Sequence, residues 1–364
     1  MSLSAGIVGL PNVGKSTLFN ALSTAEAESG NYPFCTIDPN IGVISVPDPR
    51  LEVLETHIDH EEAIPAAIEF LDIAGLVRGA SEGEGLGNQF LANIDEVDAL
   101  VHVVRCFEDD DVAHVEGDVD PQRDVGIIET ELILKDLETI EGRLEKARRK
   151  AKGDDKEAVA RVEVLETVRE ALTDGTPTRA LDLDEREREL LADSHLLTQK
   201  PVLYVANVGE DELFEDTEHV EALRELAVEQ DAEVIKVCAS LEAELSELDE
   251  AEKRAMLEEF GIEEPALDRL IRKTYDILGL QSFFTIANQK IRAWTIPVGA
   301  TAPEAAGVVH SDFEEHFIRA EVFTVEVLDQ LGDEAAIRDA GEMRLEGKDY
   351  VVQDGDVLRI RHDA

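Results

Sequence analysis

A segment near the start of the chain has the residue types and spacing of a phosphate-binding loop. Residues Gly9–Thr17 read Gly-Leu-Pro-Asn-Val-Gly-Lys-Ser-Thr and match the pattern G-x-x-x-x-G-K-[ST] in full. The apolar run Leu3–Val8 before the loop is typical of a strand, and Leu18–Leu22 after it indicates a helix. In such a strand–loop–helix unit, backbone N–H groups of the loop and of the helix N-terminus surround phosphate oxygens. The segment therefore predicts a site for a phosphate-bearing ligand.

The residue types of the loop assign separate tasks within that site. Gly14 lets the backbone approach the phosphates closely, the Lys15 ammonium reaches the outer phosphates, and the Ser16 hydroxyl is a ligand for Mg²⁺. Lys15 is therefore a predicted catalytic residue as well as a binding residue. The predicted nucleotide-binding residues of the loop are Asn12, Val13, Gly14, Lys15, Ser16 and Thr17.

Two further segments supply candidates for the metal and for the terminal phosphate. Asp72-Ile73-Ala74-Gly75 closes an apolar run, and after a phosphate loop such an Asp holds Mg²⁺ while the Gly75 N–H meets the γ-phosphate. An ordinary strand-to-loop turn is the alternative for this segment. Thr36 lies in Asn31–Asp38, where switch loops occur, and is a candidate Mg²⁺ ligand that is released after hydrolysis. A plain loop threonine is the alternative there.

The segment Asn207–Glu210 occupies the place where GTPases carry Asn-Lys-x-Asp to read guanine. The usual Asp accepts hydrogen bonds from guanine N–H groups that adenine lacks. Here Glu210 replaces that Asp, and Val208 replaces the lysine whose stem covers the base. Both changes remove guanine-specific contacts, so we expect relaxed or inverted base choice. Ala239 and Ser240 belong to the predicted last base-side loop, which offers backbone N–H groups.

The elements that must position these residues are those of an α/β fold. Short apolar runs of the buried-strand type predict a parallel sheet with helices on both faces. These runs are Ala67–Leu71, Ala99–Val104, Pro201–Ala206 and Glu233–Cys238.

Two other regions have a different character. Apolar residues spaced three and four apart over 137–151 and 158–172 predict a coiled-coil hairpin of two helices inserted into the sheet domain. The tail is strand-rich and predicts a small α+β domain, with strands at Ala320–Val327, Tyr350–Val352 and Val357–Ile360. The predicted limits are 1–127 with 198–280 for the nucleotide-binding domain, 128–197 for the insert and 281–364 for the C-terminal domain.

The composition restricts the compartment and the partners. The 364 residues carry a net charge of −48, which repels nucleic acid at low salt, and we expect no DNA partner. The acidity fits a salt-rich cytoplasm, where charge is screened over roughly 3 Å at 1 M salt; an acidic protein with acid-tolerant partners is the alternative. With no signal peptide and no apolar run of membrane-spanning length, we expect a cytoplasmic protein without a membrane partner. Cys35, Cys106 and Cys238 form no pairing or metal pattern, as in a reducing cytosol.

These motifs together resemble the YchF family, an Obg-related branch of the translation-factor class of P-loop NTPases. The resemblance covers nearly the whole chain and rests on Gly9–Thr17, Asn31–Asp38, Asp72–Ala80, Asn207–Glu210, Arg292–Pro303 and Lys348–Asp356. The last two segments resemble the family's ubiquitin-like (β-grasp) TGS domain. The resemblance implies a P-loop NTPase with a helical insert, hydrolysis of ATP in preference to GTP, ribosome binding, and a regulatory role in translation or stress.

Hydrolysis raises a chemical problem at Leu76. Many GTPases place a glutamine there to orient the attacking water, and leucine has neither donor nor acceptor, so unaided hydrolysis should be slow. Asn12 resembles the asparagine with which potassium-dependent relatives hold K⁺ beside the phosphates, where the ion supplies positive charge. His114, in the acidic segment Glu108–His114, corresponds to a loop histidine that the family implies for orienting water. A solvated loop histidine is the alternative.

One local group of cations interrupts the acidic sequence. It consists of Arg143, Lys146, Arg148, Arg149, Lys150 and Lys152, which we call the basic patch. One interpretation is that the basic patch contacts ribosomal RNA, on the large subunit or the whole ribosome. The alternative is that its cations stabilise the negative end of a helix dipole. The leading hypothesis is a slow ribosome-associated ATPase. The alternatives are a GTP-specific signalling GTPase and a nucleotide-stabilised scaffold that joins partners through the insert and the C-terminal domain.

Overall fold

The structure is a computed structural model that describes residues 3–29, 40–74, 86–109, 111–152 and 155–363. The chain forms two compact units, and each is described by itself. The described residues within 3–25, 40–42 and 69–270 belong to the first unit, and those within 26–29, 43–68 and 271–363 belong to the second.

The described residues contain strands and helices in the following order. The strands are β1 (Ser4–Val8), β2 (Ile41–Ser45), β3 (Glu62–Ile64), β4 (Ala67–Asp72), β5 (Ala99–Arg105), β6 (Val202–Asn207), β7 (Glu233–Val237), β8 (Leu280–Ala287), β9 (Lys290–Pro297), β10 (Phe317–Thr324), β11 (Arg344–Glu346) and β12 (Asp356–His362). The helices are α1 (Lys15–Ser29), α2 (Pro49–His57), α3 (Leu86–Glu96), α4 (Pro121–Lys150), α5 (Lys156–Thr173), α6 (Glu185–Leu191), α7 (Glu218–Glu229), α8 (Ala239–Ser246), α9 (Glu250–Phe260), α10 (Ala266–Ile277), α11 (Ala302–Val309), α12 (Ser311–Glu315), α13 (Val325–Leu331) and α14 (Glu334–Ala340).

The first sheet carries the predicted site. Its strand order is β2-β4-β1-β5-β6-β7, and the pairs β1–β4, β1–β5, β5–β6 and β6–β7 are parallel. Every residue of β1, β5 and β6 is buried, which explains their continuous apolar sequences. Because parallel strands end at one edge of the sheet, the loops after β1, β4, β5, β6 and β7 begin at the same edge. The predicted parallel α/β fold is confirmed.

The insert is a helical hairpin, as the spacing predicts. The 30-residue helix α4 begins after Asp120, whose side chain accepts from the Arg123 N–H, and α5 begins after Asp155, whose side chain accepts from the N–H groups of Glu157 and Ala158. The buried apolar residues of the hairpin include Ile140, Leu144, Leu165, Val168 and Leu172. Asp136 of α4 is also buried, and its carboxylate accepts hydrogen bonds from the backbone N–H groups of Leu197 and Thr198.

The second sheet is mixed and forms the predicted C-terminal β domain. Its order is β11-β10-β12-β8-β9-β3, with β10–β12 and β8–β9 antiparallel and β12–β8 and β3–β9 parallel. Two strand predictions here are wrong in part. The predicted strand Ala320–Val327 ends at Thr324, because the Thr324 side chain accepts from the Val327 N–H and starts α13. Tyr350–Val352 forms only an isolated bridge between Val351 and Thr301. Among the described helices, none combines the length and the apolar content needed to cross a bilayer.

Candidate functional site

The phosphate loop connects β1 to α1, and its backbone conformation requires glycine at two places. Gly9 and Gly14 have φ values of 153° and 97°, which L-residues rarely adopt. A Cβ atom at Gly9 would lie closer than 3.0 Å to the Val103 carbonyl oxygen, and one at Gly14 would lie equally close to the Asn207 amide nitrogen. The two glycines thus permit a close approach of loop backbone to neighbouring strand ends.

The Lys15 ammonium group is a cation that is nearly buried. Its ammonium donates a hydrogen bond to the Leu10 carbonyl (2.7 Å), and the residue is 7% exposed. Burial lowers the pKa of Lys15 to about 8, and the nearby Asp72 carboxylate opposes that change. A poorly solvated ammonium beside a loop of backbone N–H groups is suited to bind the outer phosphates of a nucleotide.

Asp72 and Ser16 lie together at the metal side of the loop. Asp72 ends β4 and pairs in register with Ile7 of β1, directly before the loop. Burial raises the pKa of Asp72, while Lys15 and a hydrogen bond donated by the Ser16 hydroxyl lower it. Among the described residues, no three or more His, Cys, Asp or Glu side chains are grouped so that they could hold a metal ion by themselves. One carboxylate and one hydroxyl nevertheless fit Mg²⁺, which binds few protein ligands and keeps water and phosphate oxygens for the rest.

The predicted metal ligand Thr36 and the predicted γ-phosphate contact Gly75 lie outside the described residues. The same holds for Leu76, so the structure does not test these three positions.

Asn207 connects two of the loops. Its amide N–H donates to the Val13 carbonyl (2.9 Å), and its amide oxygen accepts from the Ala239 N–H (3.0 Å). The side chain therefore ties the phosphate loop to the start of α8, where Ala239 lies at the first position. Val208 is 2% exposed, and Glu210 is exposed in a short 3₁₀ turn.

The base-side loop after β7 also has a side-chain contact within itself. The Ser240 hydroxyl lies 3.2 Å from the Cys238 sulfur. The structure thus brings Asn207 and Ala239 to the phosphate loop through direct hydrogen bonds, whereas the described contacts of Glu210 and Ser240 stay within their own segments.

His114 lies against the insert. Its Nε2 lies 2.8 Å from Asp124 Oδ2, and the Glu116 N–H donates to its Nδ1 (3.1 Å). The His114 side chain is only 3% exposed, so it is not a solvated loop histidine. Neither partner belongs to the phosphate loop, and both ring nitrogens are occupied by these contacts.

The loop that carries His114 is fixed by Arg105, which the sequence analysis missed, and by Asn12, which it assigned to the nucleotide site. Arg105, at the end of β5 and 2% exposed, donates hydrogen bonds to the carbonyls of Phe107, Asp109 and Val112. Asn12 donates its side-chain N–H to the carbonyl of Ala113 (3.2 Å). A charged residue directly after six buried strand residues, five of them apolar, is a signal for such a role, because a buried guanidinium must find acceptors.

This combination defines a class of protein. A parallel sheet, a glycine-dependent loop at its edge, a buried lysine and a paired Ser and Asp form the nucleotide site of a P-loop NTPase fold.

Comparison with known proteins then identifies the family. Residues 4–150 match a family described as 50S ribosome-binding GTPase, and residues 280–363 match the C-terminal domain of YchF GTPases, described as a protein of unknown function. The chain is 53% identical to the Ribosome-binding ATPase YchF of Bacillus subtilis over the full length of both, and 51% identical to its namesake in Escherichia coli O157:H7 over 99% of each chain. The chain belongs to the YchF family.

Solved structures agree with this assignment. The YchF GTPase of Schizosaccharomyces pombe superposes with a TM-score of 0.89 at 37% identity, covering 99% of this chain and 98% of that one. A GTP-binding protein from Pyrococcus horikoshii shares the fold, with a TM-score of 0.61 at 21% identity over 99% of this chain and 100% of that chain.

Proposed function

We propose that this chain is an Mg²⁺-dependent nucleoside triphosphatase that prefers ATP to GTP and acts as a slow ribosome-associated switch in translation or stress regulation. The observation that carries the proposal is the buried Lys15 ammonium beside a glycine-dependent loop, with Ser16 and Asp72 joined at its metal side. Full-length relatives named ribosome-binding ATPases support the choice of nucleotide and partner.

Each residue of the site has a task in this proposal. Backbone N–H groups of Val13–Thr17 and the Lys15 ammonium bind the phosphates, and the Gly75 N–H meets the γ-phosphate. Ser16, Asp72 and Thr36 hold Mg²⁺. A bound Mg²⁺ would neutralise charge that develops on the phosphate oxygens.

Slow hydrolysis follows from the groups available to orient water. Leu76 offers no hydrogen bond, which leaves His114 as the side chain that orients the attacking water. Asn12 donates a side-chain N–H to the Ala113 carbonyl, and its amide oxygen would be the ligand for K⁺ beside the phosphates. A bound K⁺ would supply positive charge there, as a side chain does in other P-loop enzymes.

Nucleotide preference rests on Val208 and Glu210. Asn207 is occupied by Val13 and Ala239, so it fixes the loops and leaves base selection to its neighbours. The buried Val208 side chain lacks the long stem that covers guanine in Asn-Lys-x-Asp proteins. The double variant Val208→Lys/Glu210→Asp restores the guanine pattern and should shift the ratio of affinities toward GTP by at least tenfold.

The test is calorimetry of ATP and GTP with Mg²⁺ in concentrated KCl, on the wild type, the double variant and Lys15→Met. Tighter ATP binding in the wild type, a shift toward GTP in the double variant, and loss of both nucleotides in Lys15→Met are expected. Tighter GTP binding in the wild type would favour the GTP-specific switch. Retention of biological activity by Thr36→Ala, with hydrolysis lost, would favour the scaffold.

For the ribosome, we propose contact through the basic patch at the end of α4. Arg143, Arg148 and Arg149 already form ion pairs with Asp193, Glu166 and Glu145. In contrast, Lys146, Lys150 and Lys152 are exposed and form no ion pair within the described part of the chain. These three lysines are therefore the cations most free to contact RNA phosphates, on the large subunit or the whole ribosome.

Co-sedimentation with ribosomes tests this contact. Lys146→Glu/Lys150→Glu should weaken binding at least tenfold, whereas Arg186→Glu/Arg188→Glu, the same charge change on the exposed side of α6, should not. Equal losses in both variants would mean that net charge, and not the basic patch, sets the affinity. The Arg148→Glu/Arg149→Glu variant should show a smaller loss, because both arginines are neutralised within the insert.

A further inference from the structure

The hydrogen bonds of His114 fit a single tautomer of the ring. Because the Glu116 N–H donates to Nδ1, that nitrogen carries no proton, and Nε2–H donates to the Asp124 carboxylate at 2.8 Å. The backbone beyond the ring is also fixed, because the His114 carbonyl accepts from the Gly117 N–H in a tight turn. Both nitrogens are thus engaged, and neither is free to contact water at the nucleotide.

The Asp124 carboxylate has a second hydrogen-bond partner besides the His114 ring. Its second carboxylate oxygen accepts from Arg123 Nε (3.1 Å) and Nη2 (3.0 Å), so a charge partner remains on the carboxylate after the ring departs. Asp124 lies in the first turn of α4, with a 3% exposed side chain. Burial raises the pKa of Asp124, and Arg123 and His114 both counteract that rise.

The backbone directly before His114 is hydrogen-bonded to the phosphate loop, whereas the ring nitrogens are bonded to Asp124 and Glu116. The preceding residue, Ala113, accepts a hydrogen bond from Asn12 of that loop, and Arg105 holds the carbonyl of Val112. With the backbone held at both points, the movable part is the His114 side chain itself. Turning the ring from α4 toward the phosphate loop requires breaking its bond to Asp124.

We propose that Asp124 is a positioning residue that keeps His114 in a resting orientation and thereby limits hydrolysis. The inference rests on the proposed role of His114 in orienting water. A hydrogen bond to a carboxylate is about twice as strong as one to a neutral amide. Replacing Asp124 by Asn therefore weakens the resting contact, and kcat for ATP should rise by roughly five- to tenfold. The KM for ATP should stay within about twofold, because the Asp124 carboxylate is bonded to His114 and Arg123, neither of which belongs to the phosphate loop.

Steady-state hydrolysis by the full chain, with Mg²⁺ and ATP in concentrated KCl, tests the proposal. The variants are Asp124→Asn, His114→Ala, their combination, and Asp136→Asn, which changes another buried carboxylate of α4. We expect a raised kcat only in Asp124→Asn, a lowered kcat in His114→Ala, and no effect of Asp124→Asn when His114 is already alanine. A lower kcat in Asp124→Asn, or a rise that persists without His114, would overturn the inference.

A readout without hydrolysis completes the test. In ¹⁵N-histidine NMR spectra, with His114 assigned from His114→Ala, the wild-type ring should show the single Nε2–H tautomer, and Asp124→Asn should show averaging. An averaged wild-type ring would overturn the resting contact. A fixed ring together with full activity in His114→Ala would instead refute the catalytic role assigned to His114, and the function of Asp124 with it. These outcomes separate the two proposals.

Discussion

His102 provides a measurable link between burial and acid stability. It lies in the middle of β5, is 4% exposed, and its ring centroid is 5.5 Å from that of Tyr204. Burial, assisted by the Arg179 and Lys15 charges, lowers the pKa of His102 from 6.5 to about 3. The folded protein therefore keeps this imidazole neutral at pH values where the unfolded chain protonates it.

The sign and size of the effect follow from these two values. Between pH 3 and 6.5 the unfolded chain binds more protons than the folded one at this position. The free energy of unfolding therefore falls as the pH drops through that window. Above the unfolded pKa the imidazole is neutral in both states, and His102 causes no such loss. With about 1.4 kcal/mol for each pKa unit, the loss from His102 is about 2 kcal/mol at pH 5 and about 3 kcal/mol at pH 4.

Other groups act in the opposite direction, so the test must be a difference. Burial raises the pKa values of Asp136 and Glu242, and 82 acidic residues repel one another less when they are protonated. The comparison is urea unfolding of wild type and His102→Gln at pH 5 and 7.5 in concentrated KCl. The destabilisation caused by His102→Gln should be about 2 kcal/mol smaller at pH 5 than at pH 7.5. The exposed control His316→Gln should show no such change. Equal destabilisation by His102→Gln at both pH values would refute the argument from burial.

Two further substitutions test the loops and the insert. In Gly14→Ala, the positive φ and the overlap with Asn207 should lower the affinity for ATP at least tenfold and the free energy of unfolding by about 1–3 kcal/mol, by calorimetry and urea unfolding. Unchanged affinity would mean that the loop does not need its observed conformation. In Asp136→Ala, the N–H groups of Leu197 and Thr198 lose their acceptor, and the free energy of unfolding should fall by about 3 kcal/mol. Thr198→Val removes the hydroxyl bonds to Asp136 and Thr178 but keeps both backbone N–H bonds to Asp136, and it should cost about 1–2 kcal/mol; a loss equal to that of Asp136→Ala would contradict this division.

The elements that sequence predicts well here are those determined by local residue order. The phosphate loop is contiguous, and β5 and β6 are continuous apolar runs, so their type and direction follow from a few adjacent residues. The error at Val325–Val327 has the opposite cause. The alternation from Val322 onward is typical of a strand, but the Thr324 side chain caps α13 and changes the backbone to a helix within one residue. Competing local signals of this kind are decided by the tertiary contacts of the segment.

The contacts around His114 escape prediction for another reason. Its partners are a backbone N–H and a carboxylate in the first turn of a separate helix, and no residue type or spacing specifies that pair. Arg105 likewise uses three carbonyl acceptors, which every residue possesses, so its partners leave no trace in the sequence. The same holds for β3, whose residues pair with β9 more than 200 positions away. A motif thus indicates which residues take part, whereas folding determines their orientation.

The binding side and the hydrolytic side of the site differ in how many of their groups are already in position, and under the proposed function this difference would make hydrolysis slow. On the binding side, Asn207 joins Val13 to Ala239, so the loops that would meet phosphate and base are fixed before any ligand arrives. On the hydrolytic side, the one histidine proposed to orient water is bound to Asp124 and must be released first. Preformed binding groups favour tight association, because little ordering entropy is lost. A catalytic group that must leave a charged hydrogen bond adds directly to the activation free energy. Tight binding with delayed hydrolysis is the behaviour required of a switch, and here it would come from hydrogen bonds between loops, not from the phosphate-binding motif itself.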